Sequence, residues 1–317
     1  MLLVFLGSCS GRQSALDPAG VEAEKMAELF WLMAGGAALI WVLVLGTAFY
    51  ATRVRPRPHG EHVGRMLILG GGVAFPLVVL TSLLIYGLAL MPELRAPGDG
   101  LKIRVSGEQW WWRVAYYRPG SDAPVHAANE LRLPLGQRVE LELDSPDVIH
   151  SLWIPPLAGK VDMIPGRTTR LVLEPTRTGT FRGVCAEFCG ASHALMAFMV
   201  EVMEPEAFAA WLESEAAPAR PAKDALARQG ADLFLELGCG ACHTVRGTEA
   251  RGPVGPDLTH VGSRLSLAAG IMPNEPDAFA RWIAEAEEIK PGSRMPSFNM
   301  LPARELDALA AWLESLQ

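Results

Sequence analysis

Two long stretches of this chain carry no charged side chain: Leu29 to Thr52 and Met66 to Pro92. As helices rising 1.5 Å per residue they would be roughly 35 and 40 Å long, enough to cross a hydrocarbon layer of about 30 Å with some tilt. A core helix of a soluble protein keeps polar residues on one face, and neither stretch offers any. The pair therefore predicts a transmembrane helical hairpin over 26–92. Gly70 to Gly72 and Pro76 are tolerable there, because neighbouring helices can satisfy freed backbone groups. The connecting loop holds Arg53, Arg55, Arg57 and Arg65 with His59 and His62, whereas the flanks hold Lys25 on one side and Arg95, Lys102 and Arg104 on the other. That balance moderately favours a cytoplasmic loop, with both chain ends outside.

At 317 residues the chain has room for further units, and its formal net charge of −7 excludes nucleic acid as a partner. From Leu101 to Met203 short runs alternate apolar and polar, as in Arg138-Val139-Glu140-Leu141-Glu142-Leu143, with Pro and Gly between them. This predicts an antiparallel β-sandwich or barrel. A short helix is expected over 204–215 and a Pro-containing linker over 216–223. Apolar residues at three- and four-residue spacing then predict helices over 224–237, 278–288 and 302–316. The divisions are a polar, flexible segment 1–25, the hairpin 26–92, a β-domain 98–204, helix and linker 205–223, and an α-helical domain 224–317. Cys9 closes Leu6-Gly7-Ser8-Cys9, which resembles a bacterial lipoprotein cleavage site, although no basic segment precedes it.

The other four cysteines lie in two motifs. Cys239-Gly240-Ala241-Cys242-His243 is the attachment signature of a c-type haem: Cys239 and Cys242 form thioethers and His243 supplies one axial nitrogen. Cys185-x3-Cys189-x3-His193-x2-Met196 gathers thiolates, an imidazole and a thioether, the soft set that suits copper. His150, at the end of a strand-like run, can add a second imidazole. Such a set exceeds the needs of one copper and fits two that share both sulfurs. A disulfide or a zinc site could also use the two cysteines, but neither needs Met196 or His150.

These residues, with Gly107-Glu108-Gln109-Trp110-Trp111-Trp112, Asp147-Val148-Ile149-His150-Ser151 and Ile164-Pro165-Gly166-Arg167, resemble subunit II of the haem-copper terminal oxidases. The resemblance covers roughly 26–204 and implies a cupredoxin-like Greek-key β-barrel carrying a binuclear CuA centre. It implies His150, Cys185, Cys189, His193 and Met196 as copper ligands. Glu187 would add its backbone carbonyl and turn its carboxylate toward an interfacial magnesium. Trp110 would be the point where electrons reach CuA. Ala115 stands where an acid is common in the family, which removes one acid from the face that docks a basic soluble cytochrome c, and Glu108 stands where the family usually has His. Leu69 replaces a family glutamate at the mouth of a proton pathway; Glu61 is the nearest substitute.

Beyond the haem motif, Lys290-Pro291-Gly292-Ser293-Arg294-Met295-Pro296 resembles the methionine loop of small class I cytochromes c. Met295 is the expected sixth haem ligand, with Met272 and Met300 as rivals. Pro256 would accept the proton of His243, and His260 could bind iron only if Met295 does not. The expected product is subunit II of a bacterial cytochrome c oxidase with a fused cytochrome c. Electrons would pass from its own haem c to CuA and on to subunit I, where oxygen is reduced with proton translocation. Expected partners are subunit I, subunit III and the inner membrane, with a quinol-cytochrome c reductase-type complex or a small soluble carrier as donor. A CuA-bearing subunit of a nitric oxide reductase and a membrane-anchored copper-delivery protein are the alternatives.

Overall fold

The computed structural model describes residues 10–56, 58, 60–98, 100–121 and 123–317. Cys9, Arg57 and His59 lie outside them, and with Cys9 the expected lipid attachment.

Residues Lys25–Ala96 form one compact unit. Helix α1 runs Val21–Val54 and helix α2 Glu61–Leu94, each long and apolar enough to cross a membrane, with their apolar side chains exposed. Both helices outrun the uncharged stretches. Glu22, Glu24, Lys25 and Glu28 sit in the first turns of α1, and Arg53 in its last, where charged heads can reach water. Within α2, Leu67–Ala74 is wound as a π-helix just before Pro76, whose missing N–H and bulky ring disturb the preceding turn.

The second unit joins the chain up to Glu24 with Pro97–Gln317. The segment before α1 is not the free lead-in expected from its polarity. Ala19 donates its N–H to the Pro156 carbonyl (2.7 Å) and accepts from Thr176 (2.8 Å), while Val21 N–H reaches the Glu174 carbonyl (3.0 Å). Gly20 makes this possible: a Cβ there would stand 2.6 Å from the Leu157 carbonyl oxygen. Composition hid this edge because the bonds of Ala19 and Val21 are backbone to backbone.

The β-domain is two five-stranded sheets, in order β3-β2-β1-β5-β8 and β4-β10-β9-β6-β7. The strands are β1 (Lys102–Glu108), β2 (Trp111–Tyr117), β3 (Val125–Ala128), β4 (Glu130–Pro134), β5 (Val139–Asp144), β6 (His150–Trp153), β7 (Val161–Met163), β8 (Thr169–Leu173), β9 (Gly179–Cys185) and β10 (Ala197–Met203). Alternation sets which face is buried: in β5 Val139, Leu141 and Leu143 are fully buried, with Glu140 and Glu142 between them. Each such Leu contributes about 1.5–3 kcal/mol. Contrary to the all-antiparallel expectation, β1 pairs with β5 and β10 with β4 in parallel. Alternation fixes the face of a strand and leaves its direction open.

Helix α3 (Pro205–Ala216) follows, and then an α-helical lobe of α4 (Ala225–Glu236), α5 (Pro276–Ile289) and α6 (Ala303–Ser315). Its core is built on the crossing of α4 and α6. Gly230 lets the backbones meet, since a Cβ there would fall 2.0 Å from the Ala308 carbonyl oxygen, and Phe234 lies against Trp312 with ring centroids 4.7 Å apart. The lobe rests directly on the β-domain. Leu265 N–H donates to Glu130 (2.6 Å), Arg113 to the Pro253 carbonyl (2.9 Å) and Ala197 N–H to the Ala269 carbonyl (3.0 Å).

Candidate metal centres

Three strand ends converge on the first centre. His150 opens β6, Cys185 closes β9, and the loop to β10 carries Cys189, His193 and Met196. The loop is closed by Cys185 N–H to the Met196 carbonyl (2.9 Å) and tightened by His193 N–H to the Gly190 carbonyl (3.1 Å). Cys185 Sγ lies 3.8 Å from Cys189 Sγ and 3.8 Å from His150 Nδ1. Cys189 Sγ lies 3.5 Å from His193 Nδ1 and 3.9 Å from Met196 Sδ. Ligands about 2.3 Å from one metal in a tetrahedral arrangement are roughly 3.8 Å apart, so these spacings suit metal coordination. His150, Cys185 and Cys189 are all buried. The donors, two imidazoles, two thiols and a thioether, fit a soft metal.

The surroundings orient these donors. His150 Nε2 is 2.9 Å from Asp147 Oδ1, which leaves Nδ1 facing Cys185. Asp147 was not foreseen; its place three residues before a ligating His was the available signal. Burial works against charge on His150, but Cys185 and Asp147 hold its pKa above the ordinary imidazole value. The hydrogen bond from Cys189 outweighs burial and holds the Cys185 thiol well below the usual range. Gly107 gives the imidazole room, a Cβ there meeting the His150 ring at 3.0 Å. Glu187 turns two ways. Its carbonyl oxygen lies 3.2 Å from Cys185 Sγ, and its carboxylate points outward to Lys160 at 3.6 Å.

Trp110 is buried against this loop, its indole N–H donating to the Cys189 carbonyl at 3.1 Å beside Gln109 Nε2 at 2.7 Å. Trp112 belongs to the core, packed on Phe198 at 5.0 Å. Glu108 accepts from Arg113 (2.7 Å), whose guanidinium lies over Trp111. Leu69 is exposed in the π-helical stretch of α2 and carries no titratable group.

The second centre is a cavity of about 380 Å³ bounded by both lobes, with Cys239, Cys242, His243 and Met295 on one side and Trp110 and Gln109 on the other. A short turn after α4 presents Cys239, Cys242 and His243. His243 Nδ1 lies 2.9 Å from the Pro256 carbonyl, which fixes the proton on that nitrogen and frees Nε2 as a ligand. Burial lowers the pKa of His243, favouring the neutral imidazole that iron requires. The sequence rivals lie elsewhere. Met300 is exposed, Met272 is half-buried against the lobe's core and does not line the cavity, and His260 Nε2 is 3.0 Å from the Ala217 carbonyl. Lys290 was not singled out either. It lines the same cavity, almost fully buried, and donates to the Ala268 carbonyl at 2.9 Å. Burial pushes its pKa down to about 7.

A cupredoxin-like domain with a two-cysteine metal loop, joined to a lobe with a haem-attachment turn and preceded by two membrane-length helices, defines the class: a cupredoxin–cytochrome c fusion with a helical hairpin. Comparison with known proteins agrees. Residues 118–203 match the model of the cytochrome c oxidase subunit II periplasmic domain and residues 227–317 that of cytochrome c. Cytochrome c oxidase subunit 2 of Alkalihalophilus pseudofirmus is 31% identical over 100% of this chain and 95% of its own. The Bacillus subtilis protein of that name is 30% identical over 96% of this chain and 92% of its own. The crystal structure of the periplasmic domain of cytochrome oxidase subunit II of Bradyrhizobium japonicum shares 30% identity, covering 38% of this chain and 95% of its own, with a TM-score of 0.35. The chain belongs to the cytochrome c oxidase subunit II family, with a cytochrome c domain at its C-terminal end.

Proposed function

We propose that this chain takes electrons at its own haem c, hands them to a binuclear copper centre and delivers them to subunit I of a terminal oxidase. There oxygen is reduced with proton translocation. The observation that carries this reading is the position of Trp110. Its indole is bonded to the loop of Cys189 and also borders the cavity of Cys239, Cys242, His243 and Met295. One aromatic side chain thus touches both centres.

His150, Cys185, Cys189, His193 and Met196, with the Glu187 carbonyl, would hold the copper pair. Cys239 and Cys242 would bind the haem covalently, His243 and Met295 would hold its iron, and Pro256 would fix the His243 proton. When bound, the two groups supply reversible one-electron chemistry, the haem at a potential raised by its methionine. The chain itself buries His150, Cys185, Cys189 and Met196 and restrains their donor atoms, so that little rearranges when charge arrives. The outward carboxylate of Glu187 is the candidate contact for magnesium at the boundary with subunit I. The helices anchor the chain in the bacterial inner membrane, with the loop between α1 and α2 cytoplasmic and both lobes on the periplasmic face beside subunits I and III. A quinol-cytochrome c reductase-type complex or a small soluble carrier would supply the electrons.

The test is metal and haem analysis of the purified full chain, followed by turnover of the assembled complex. The reading predicts two coppers with a shared mixed-valence EPR signal, one c-type haem and oxygen reduction. A single exchangeable cuprous ion would indicate copper delivery. A complex that reduces nitric oxide and not oxygen would place the chain in the other branch of the superfamily.

A further inference from the structure

Ser192 sits between the copper loop's Gly190 and His193, completely buried. Its hydroxyl does not bond within its own domain. It donates at 2.7 Å to the carbonyl of Pro291, in the loop that carries Met295, 99 residues away in sequence. The next residue, Gly292, has φ +81°, and a Cβ there would lie 2.7 and 2.9 Å from Cη2 and Cζ3 of Trp110. On the copper side a Cβ at Gly190 would lie 3.0 Å from Cζ2 of the same indole. Trp110 is therefore held between two glycine backbones, one from each cofactor loop, and the Ser192 bond spans the same gap. The methionine loop is anchored at its start in its own lobe, by Lys290 Nζ on the Ala268 carbonyl.

We propose that Ser192 is a positioning residue for electron transfer between the two lobes: its hydroxyl ties the methionine loop to the copper loop and keeps Gly292 against Trp110. The inference rests on the two-centre reading above. The transfer served is one electron, lost by the haem iron and gained by the copper pair, with no covalent bond made or broken. Several other polar contacts join the lobes, so losing the Ser192 bond loosens this one gap without separating them. Electron tunnelling falls steeply with separation, which makes the rate a sensitive reporter of such a change.

The test uses the purified full chain carrying both cofactors, with the haem reduced by one electron from an added photoexcited donor and its reoxidation followed as copper is reduced. Ser192→Ala is expected to slow this step by up to about fivefold, the ceiling set by a loss of about 1 kcal/mol from the closed arrangement of the two loops. Both midpoint potentials, the copper EPR signal and the methionine-to-iron absorption band should stay at parental values, which separates positioning from a damaged centre. Gly292→Ala should slow the same step. The double variant should lose less than the product of the single effects, because both substitutions open one contact. A Ser192→Ala chain that transfers at the parental rate overturns the proposal and leaves the two-centre reading standing. A parental chain that holds both cofactors yet exchanges no electron between them overturns both.

Discussion

Glu215, near the C-terminal end of α3, gives a pH dependence that can be worked from its surroundings. The side chain is 7% exposed. Burial is the largest influence and disfavours the carboxylate, Arg264 and Arg246 favour it, and Glu130 and Asp257 oppose it. The outcome is a pKa raised from 4.5 to about 7. Below pH 4.5 the folded and unfolded chains both hold the proton, so the group contributes its full share of stability. Between 4.5 and 7 the unfolded chain has lost the proton and the folded one keeps it, so stability falls as pH rises through this window. The shift corresponds to at most about 3 kcal/mol. For a lobe of this size that amounts to roughly 10–20 °C in unfolding temperature. Glu215→Gln replaces the carboxyl by a neutral isostere and removes the titration. The assay is unfolding of the full chain in detergent from pH 4.5 to 8, followed by haem absorbance, with the variant's curve subtracted from the parent's. The variant should become the more stable protein as pH rises toward 8. Parallel pH curves for the two chains would refute the reasoning.

Two further outcomes follow from the geometry. Gly230→Ala puts a methyl 2.0 Å from the Ala308 carbonyl oxygen and 2.8 Å from Trp312 Cβ. It should force α4 from α6 at a cost of about 3 kcal/mol, read as a fall in haem per copper in the purified chain. Met295→Ala should leave the haem attached through Cys239 and Cys242 and lower its midpoint potential by on the order of 0.1 V, within the roughly 0.8 V range that axial ligands command. Spectroelectrochemistry checks the second, and an unchanged potential would point to another sixth ligand.

The parts legible in the sequence were those written in side chains close along the chain. Uncharged runs showed α1 and α2, alternation showed the buried face of β5, and the spacing of Cys185, Cys189, His193 and Met196 showed a metal loop. His150 showed in the sequence only as an imidazole that could join the set, because 35 residues of chain separate it from Cys185; its assignment as a ligand came from the resemblance. The docking of the lobes was not legible for a different reason. Arg113, Arg182 and Ser192 donate to the carbonyls of Pro253, Gly270 and Pro291. A backbone acceptor is present at every residue, so nothing in the composition marks the few that are used. The edge formed by Ala19 and Val21 was hidden in the same way.

The same chemistry accounts for a strained turn. Ala268 and Ala269 have φ of +52° and +62°, a region that disfavours any residue with a Cβ by about 1–2 kcal/mol, and Gly270 follows at +80°. All three of their carbonyls are taken: Ala268 by Lys290 Nζ (2.9 Å), Ala269 by Ala197 N–H (3.0 Å) and Gly270 by Arg182 (2.8 Å). Two of these donors belong to the β-domain, where Ala197 directly follows Met196. The turn is thus held in its conformation by the lobe it docks against, and its first carbonyl gives the buried ammonium of Lys290 an acceptor. Among ion pairs between described residues, none joins the β-domain to the helical lobe, so their fit depends on loop shape rather than on opposed charge. Opposed charge steers partners that must find one another by diffusion. Two lobes on one chain meet at an effective concentration set by their linker.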